Sequence, residues 1–212
     1  MKTNVKQSNH ALVLFIYVLA FVLMTWSYRA HAEKMQKLPN PVVVISTSLG
    51  DIKVQLDREH APISTENFLK YVAKKHYDGT TFHRVIKTFM VQGGGHLPDL
   101  SEKPTMAPIK NEATNGLSNR RGTLAMARTD EVDSATAQFF INVVDNKRLD
   151  YVDQNRYGYA VFGEVTEGMD VVDKIRDVPT TAKGDMQDVP AEPILIKSVK
   201  LLKAQKAKKG KK

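Results

Sequence analysis

Cysteine is absent from the 212 residues. That absence removes disulfides, zinc–thiolate centres and thiol nucleophiles together, and a chain without thiols is safe in an oxidising compartment. Neither a Gly-x-Gly-x-x-Gly fingerprint nor a Gly-Lys-Ser/Thr phosphate loop occurs, so two common nucleotide-binding signatures are missing. There is no Gly-x-Ser-x-Gly nucleophile elbow. The histidines are His10, His31, His60, His76, His83 and His96. They form no His-Glu-x-x-His pair and no repeated ligand spacing, so neither a metal nor another cofactor is expected. No helix pattern follows Gly93-Gly94-Gly95, as phosphate binding needs, and the triplet reads as a flexible strand end.

Acidic residues are missing from both ends. Residues 1–32 carry Lys2, Lys6 and Arg29, and residues 203–212 carry Lys203, Lys206, Lys208, Lys209, Lys211 and Lys212, with no acid in either stretch. The whole chain has 31 basic and 23 acidic residues, so with those nine set aside 22 bases face 23 acids. The formal charge of +8 belongs to the ends, and no nucleic-acid partner is expected. Residues 203–212 read as a Lys-rich disordered tail, with weak adhesion to anionic lipid or polymer as the alternative. At the other end, Lys2 and Lys6 precede a nearly unbroken apolar run from Ala11 to Trp26, and Ala30-His31-Ala32 fits a small-x-small cleavage site. Residues 1–32 are expected to be a signal peptide and 33–40 a linker, giving export to a periplasm. The run falls short of the about 20 residues that span a bilayer comfortably. Because Arg29 follows it closely, an uncleaved membrane anchor over residues 11–28 is the alternative. No second long apolar run exists, so contact with a membrane is expected only through this segment.

Hydrophobic content of 42% and charged content of 25% are those of a globular body. Pro41–Thr47, a turn at Ser48-Leu49-Gly50-Asp51, and the alternating Ile52–Leu56 predict a hairpin. Pro62 suits the first turn of a helix. Ile63, Phe68, Leu69, Val72 and Ala73 follow at helical spacing, predicting a helix over Pro62 to Lys75 that buries those residues. Short apolar strands are expected near Thr81–Ile86, Phe89–Gln92, Thr123–Ala127, Phe139–Asn142 and Tyr159–Val165. A second helix is expected over Gly168–Ile175 and a last strand over Ile194–Leu202. Many short strands with a helix near each end point to a mainly β fold, a closed antiparallel barrel. The long stretches 95–121 and 144–158 read as loops that are functional or packed onto it.

What remains is one cation among apolar groups. In Phe82-His83-Arg84-Val85-Ile86, strand alternation puts Phe82, Arg84 and Ile86 on one face and His83 and Val85 on the other. His83 reads as a packed, hydrogen-bonded core residue rather than a general base. Arg84, beside the apolar strands at Phe89-Met90 and Phe139-Phe140-Ile141, has two readings. It is either a functional cation or an exposed strand residue whose stem covers its neighbours.

The body resembles a cyclophilin. The resemblance rests on Phe82–Ile86, Phe89-Met90-Val91-Gln92-Gly93-Gly94, Gly122-Thr123-Leu124-Ala125-Met126-Ala127, Gln138-Phe139-Phe140-Ile141 and Val161-Phe162-Gly163. These segments stand in the family's order and at about its spacing over roughly residues 41–202. Gly122–Thr129, Asp133-Ser134-Ala135-Thr136 and Gly158–Gly163 are similar to the bacterial periplasmic subgroup. The resemblance implies an eight-stranded antiparallel barrel capped by two helices, with the active groove on its outer surface. It also implies peptidyl-prolyl cis-trans isomerase activity during the folding of exported proteins. It makes Arg84 the catalytic arginine. Phe89, Met90, Phe140 and Leu149 line the pocket for the proline ring, and Gln92 bonds near the reacting peptide. Ala127 and Arg128 offer backbone groups to an extended substrate. The expected partners are proline-containing unfolded or extended polypeptides, and the expected state is monomeric. A barrel that holds peptides as a chaperone without isomerising them is the rival reading. Tyr159 stands where many members have a groove histidine, Arg148 where eukaryotic members have a tryptophan, and Lys87-Thr88 in place of a Pro-Gly turn. Arg148 implies weak inhibition by cyclosporin.

The implied reaction agrees with the exclusions. Rotation about an Xaa-Pro bond crosses a barrier of about 18–20 kcal/mol because it destroys amide resonance. No bond is made or broken, so no nucleophile, metal or proton shuttle is required.

Overall fold

In the computed structural model, which describes residues 13–26 and 39–202, the first strands form where β-branched residues run together. β1 (Val42–Thr47) and β2 (Asp51–Leu56) pair with Val43 opposite Val54 and Ile45 opposite Ile52. All four side chains are fully buried. The side-chain hydroxyl of Thr47 donates to the Gly50 carbonyl at 2.7 Å and fixes the turn. Gly50 has φ +137°, and a Cβ there would lie 2.7 Å from Val171, so the turn needs glycine.

The chain divides into Met1–Pro39 and Asn40–Lys212. In the first unit residues 13–26 form helix α1, with exposed apolar side chains. Among the described residues no helix is long and apolar enough to cross a membrane. The n-region, the cleavage site, linker positions 33–38 and the Lys-rich tail lie outside the described residues.

The second unit is a closed antiparallel barrel. Its further elements are helix α2 (Pro62–Ala73), β3 (Thr80–Ile86), β4 (Met90–Gly93), β5 (Thr123–Met126), β6 (Phe139–Asn142), β7 (Val161–Glu167), α3 (Met169–Arg176), β8 (Thr180–Lys183), β9 (Met186–Pro190) and β10 (Leu195–Leu201). The strand order around the barrel is β1-β10-β3-β4-β6-β5-β7-β2, and β8 and β9 form a separate two-stranded sheet. The eight-stranded barrel and both helices of this unit were legible in the patterning. The β8–β9 hairpin was not. Thr180-Thr181-Ala182-Lys183 is almost wholly exposed, so it carries no hydrophobic alternation to reveal a strand.

The barrel interior is aromatic. Phe68 stacks on Tyr77 at 4.8 Å and meets Phe139 and Phe162 at 5.5 Å each. Tyr77 places its ring in this cluster and donates its hydroxyl to the Ala137 carbonyl at 2.9 Å, so the one polar atom it buries is satisfied. Gly94 lies against this cluster, where a Cβ would come within 2.9 Å of both Phe139 and Tyr77. Gly95 makes room for the Gln138 side chain in the same way. The glycine triplet is therefore a place of close packing and not a flexible strand end.

Helix α2 buries only part of the face its apolar residues mark: Phe68 is buried and Leu69 and Val72 pack partly buried against the core. Ile63 and Ala73 are exposed, whereas Ser64, Thr65 and Asn67 are buried alongside Phe68 and Tyr71. The first turns of α2 pack on loops, whose backbone supplies polar partners. Thr65 donates to the Asp57 carbonyl and Asn67 to the Thr136 carbonyl. Ala61 at the N-cap has no side chain able to cap the helix. Glu112, distant in sequence, does so instead: its carboxylate accepts from the amides of Ile63 (2.9 Å) and Ser64 (2.7 Å) and from the Ser64 hydroxyl (2.7 Å). A carboxylate there also meets the positive end of the helix dipole. Glu112→Ala is expected to lower unfolding free energy by about 1–2 kcal/mol, read as a reduced urea midpoint with an unchanged m-value.

Candidate active site

One departure from strand alternation decides where Arg84 points. The β3–β4 register runs Phe82 opposite Gly93, then Arg84 opposite Gln92, so His83 is an extra residue bulged out of the ladder. Phe82 and Val85 both face the core. Arg84 and Ile86 face outward. The expectation that Phe82 shares a face with Arg84 is thus corrected: the bulge reverses the alternation at His83.

Beyond the bulge the outward-facing residues line up across the sheet. Arg84 on β3 is opposite Gln92 on β4, Gln92 opposite Phe140 on β6, and Phe140 opposite Ala125 on β5. Neighbouring strands lie about 4.8 Å apart, so this row carries one cation, one amide, one aromatic ring and one methyl in fixed order. Met90 lies next to the row on β4. Leu149 and Tyr159 close the site from the loops. Phe89 immediately precedes β4 and Tyr159 precedes β7, so both sit just outside the strands expected to hold them.

All nine site residues expected from the sequence line one pocket of about 100 Å³: Arg84, Phe89, Met90, Gln92, Ala127, Arg128, Phe140, Leu149 and Tyr159. Met90 and Phe140 are buried, with Ala125 beneath them fully so. The Tyr159 ring meets Phe140 edge-on at 5.7 Å. Arg128 lies over the Tyr159 ring at 4.7 Å and donates to the carbonyls of Gly158, Thr129 and Asp130. The Ala127 amide is already committed to the Gln138 carbonyl at 3.0 Å. Its N–H is therefore not the group it can offer a substrate. Gln92 donates its side-chain amide to Gln138 at 2.9 Å, which orients it at the pocket edge.

Behind Arg84 the His83 ring is buried against His96, with centroids 4.1 Å apart. Burial, the neighbouring His96 and, more weakly, Arg84 lower the His83 pKa from its ordinary 6.5 to about 3. A neutral ring adds no repulsion to the guanidinium beside it. The expected packing of His83 is found, although its Nδ1 makes no hydrogen bond within the structure. Among the described residues no cluster of three or more His, Asp or Glu side chains is placed to hold a metal ion.

Residues 42–201 match the family model described as cyclophilin type peptidyl-prolyl cis-trans isomerase/CLD. The chain is 50% identical over 186 residues to peptidyl-prolyl cis-trans isomerase A of Dickeya dadantii, covering 88% of this chain and 97% of that protein. It is 53% identical over 190 residues to a peptidyl-prolyl cis-trans isomerase of Acinetobacter baylyi, covering 90% and 98%. Among solved structures, a cyclophilin-type isomerase of Cryptosporidium parvum, crystallised in the presence of the dipeptide Ala-Pro, superposes with a TM-score of 0.64 at 28% identity, covering 76% of this chain and 99% of that one. This chain belongs to the cyclophilin family. It is a peptidyl-prolyl cis-trans isomerase.

The cyclophilin pocket depends on residues that the sequence did not single out. The side-chain amide of Asn119 donates to the carbonyls of Leu149 and Tyr159, each at 3.2 Å, and to Asp150 at 3.1 Å. Asn142 donates to Asn119 and to Thr123, and Asn146 donates to Asn142 at 2.7 Å and to the Phe89 carbonyl at 2.8 Å. Three pocket-lining residues, Phe89, Leu149 and Tyr159, are held at their backbones by one buried asparagine network. Gly158 completes it: with φ +77° and a would-be Cβ 2.6 Å from the Leu149 carbonyl, it lets the two loops touch. The available signal was polar residues inside the long 95–121 and 144–158 stretches, where loop composition concealed them.

Two outcomes follow from this geometry. Asn119→Ala strands the Tyr159 carbonyl and one N–H of the Asn142 amide, while the Leu149 carbonyl keeps the Tyr159 N–H, and is expected to cost about 2–4 kcal/mol of stability. It should also cost roughly tenfold in kcat/KM as the pocket loops shift, measured by denaturation and by an isomerisation assay on the folded fraction. The second outcome concerns pH. A histidine whose folded pKa is lowered takes up a proton on unfolding, so its contribution is complete above pH 6.5 and is lost as pH falls. Between pH 6.5 and pH 4 stability should drop by roughly 3 kcal/mol from His83 alone. NMR should show the His83 ring still neutral at pH 4 in the folded protein, and a ring already protonated at pH 5.5 would contradict this.

Proposed function

We propose that this isomerase acts on Xaa-Pro bonds of exported polypeptides as they fold, and that Arg84 is its catalytic residue. The observation that carries the mechanism is the row in which Arg84, Gln92 and Phe140 stand on adjacent strands. That row supports a reading in which the proline ring sits among Phe89, Met90, Phe140, Leu149 and Tyr159 while the guanidinium faces the reacting amide. As the bond twists, the prolyl nitrogen becomes pyramidal and gains a lone pair, and a donor already in position favours the twisted form. A guanidinium suits the task because it stays protonated and offers several donors in a fixed plane. Arg84 is about half exposed, and its nearest carboxylate, Asp188, is 3.9 Å away. That loose pairing leaves its donors free for a substrate. The apolar walls grip the ring while the rest of the peptide turns, and they disfavour the more polar planar amide.

The Ala-Pro dipeptide of the Cryptosporidium parvum crystals supports proline-containing peptides as the substrate class. Export rests on the basic start, the apolar run from Ala11 to Trp26, the Ala30-His31-Ala32 site and the absence of cysteine. It places the isomerase domain over residues 41–202, behind a signal over 1–32, a linker over 33–40 and ahead of a Lys-rich tail. An N-terminal mass measurement on protein from its native host should find a chain beginning at Glu33, and an intact Met1 would favour the anchored alternative.

Arg84→Ala should retain the circular dichroism spectrum and lose about 100-fold or more in kcat/KM on an Xaa-Pro peptide. That corresponds to about 3 kcal/mol of transition-state stabilisation. Near-normal activity of the folded variant would sink the mechanism.

A further inference from the structure

A second and larger depression adjoins the proline pocket, and the two share Arg84 and Phe89. It holds about 780 Å³ and is lined by Arg84, Ile86, Thr88, Phe89 and the segment from Val144 to Arg148. Its lining is lopsided in charge. Arg84, Lys147 and Arg148 line it with a single acid, Asp145, whose carboxylate accepts the Arg121 amide at 2.8 Å, while Asp188 lies 3.9 Å from Arg84 outside the lining. Lys147 and Arg148 pair with no carboxylate among the described residues. The Arg148 guanidinium is not free to wander, because it lies 4.6 Å over the Phe89 ring. A cation stacked in this way is held at one edge of the proline pocket with its donors still available. Arg128, stacked over the Tyr159 ring, is different: it spends its donors on three backbone carbonyls.

From this asymmetry we infer that Lys147 and Arg148 are specificity-determining residues that select an acidic side chain flanking the substrate proline. The occupant of the groove is an extended peptide that leaves the pocket past Phe89 and carries Asp or Glu within its next residues. The inference rests on the isomerase reading of the adjacent pocket. A carboxylate matches both cations, since it accepts from the guanidinium fork and from an ammonium. The site is exposed and screened, so the preference is modest and salt-dependent.

The test is NMR exchange on peptides blocked at both ends, Ala-Ala-Pro-Ala-Ala beside versions with Glu, Gln or Lys placed before or after the proline. Blocking removes terminal carboxylates as a source of charge. At low salt, the full chain should turn over the Glu peptide on one flank about 3–10-fold faster in kcat/KM than its Gln counterpart. The Lys peptide should be slower still, and the ratios should shrink at 0.5 M salt. In Lys147→Glu and in Arg148→Glu the Glu-to-Lys order should reverse, a ratio that cancels any general loss of folded enzyme. Equal rates for Glu, Gln and Lys on both flanks, with the neutral peptide still catalysed, would overturn the charge selection alone. Failure on every peptide, the neutral one included, would overturn both readings. A Glu preference unchanged in both variants would move the selection away from Lys147 and Arg148 and also overturn the inference.

Discussion

The extra residue at His83 is the constraint on which the site depends. Strands alternate with a period of two, so an unbroken ladder from Phe82 would aim Arg84 into a core of Phe68, Tyr77, Phe82 and Phe139. An unpaired guanidinium there would cost far more than any contact could return. The bulge inserts one residue, turns Phe82 and Val85 inward and leaves Arg84 outward. It also sets the register for the rest of the row, from Gln92 to Phe140 to Ala125. The bulged imidazole is itself stored as a neutral ring against His96, so the solution to one problem of charge does not create another. Bulges recur beside functional sites because they re-aim a side chain without breaking the sheet.

The pocket has two kinds of wall, held by different physics. The β3–β4–β6–β5 wall is fixed by ladder hydrogen bonds and by core side chains pressed against its inner face. The loop wall has no ladder. Phe89, Leu149 and Tyr159 are instead tied at their carbonyls to Asn119 and Asn146, through Asn142 between them. Buried amides serve this purpose because each can donate twice and accept at the same time. Because they are buried, a partner once lost is costly to replace. A network of that type specifies one loop arrangement rather than merely adding stability.

Legibility in the sequence followed the reach of the forces involved. Short-range patterns were readable: the β1–β2 hairpin, the Pro62 start of α2, the short strands and α3. The residues proposed for the site were named from the family resemblance, Arg84, Phe89-Met90, Gln92, Phe140 and Leu149 among them, and the structure brings them to one pocket. Other features were hidden. Helix α2 buries Ser64, Thr65 and Asn67 because loops, not core, meet that face. Glu112 caps α2 from far along the chain. The β8–β9 hairpin leaves no periodic trace, because β8 is almost wholly exposed and β9 buries only its end, Val189 and Pro190. The Gly93–Gly95 run looks like slack and is a point of contact, since only the folded chain shows Tyr77, Phe139 and Gln138 pressed against it.

For Arg84 and its neighbours, the sequence by itself determined the chemistry available. It offered one arginine amid apolar strands, no thiol, no metal spacing and no nucleophile motif, and its resemblance to cyclophilins implied an isomerisation, in which no bond is made or broken. Tertiary structure decided the direction in which that arginine points and the company it keeps. A single-residue bulge is invisible to composition and contradicts simple alternation, because it is fixed by how β3 pairs with β4 and not by β3 alone. The same holds for the basic groove beside Phe89: Lys147 and Arg148 are unremarkable in a loop, and they acquire a shared direction only when the Asn146 anchor sets that loop against the proline pocket.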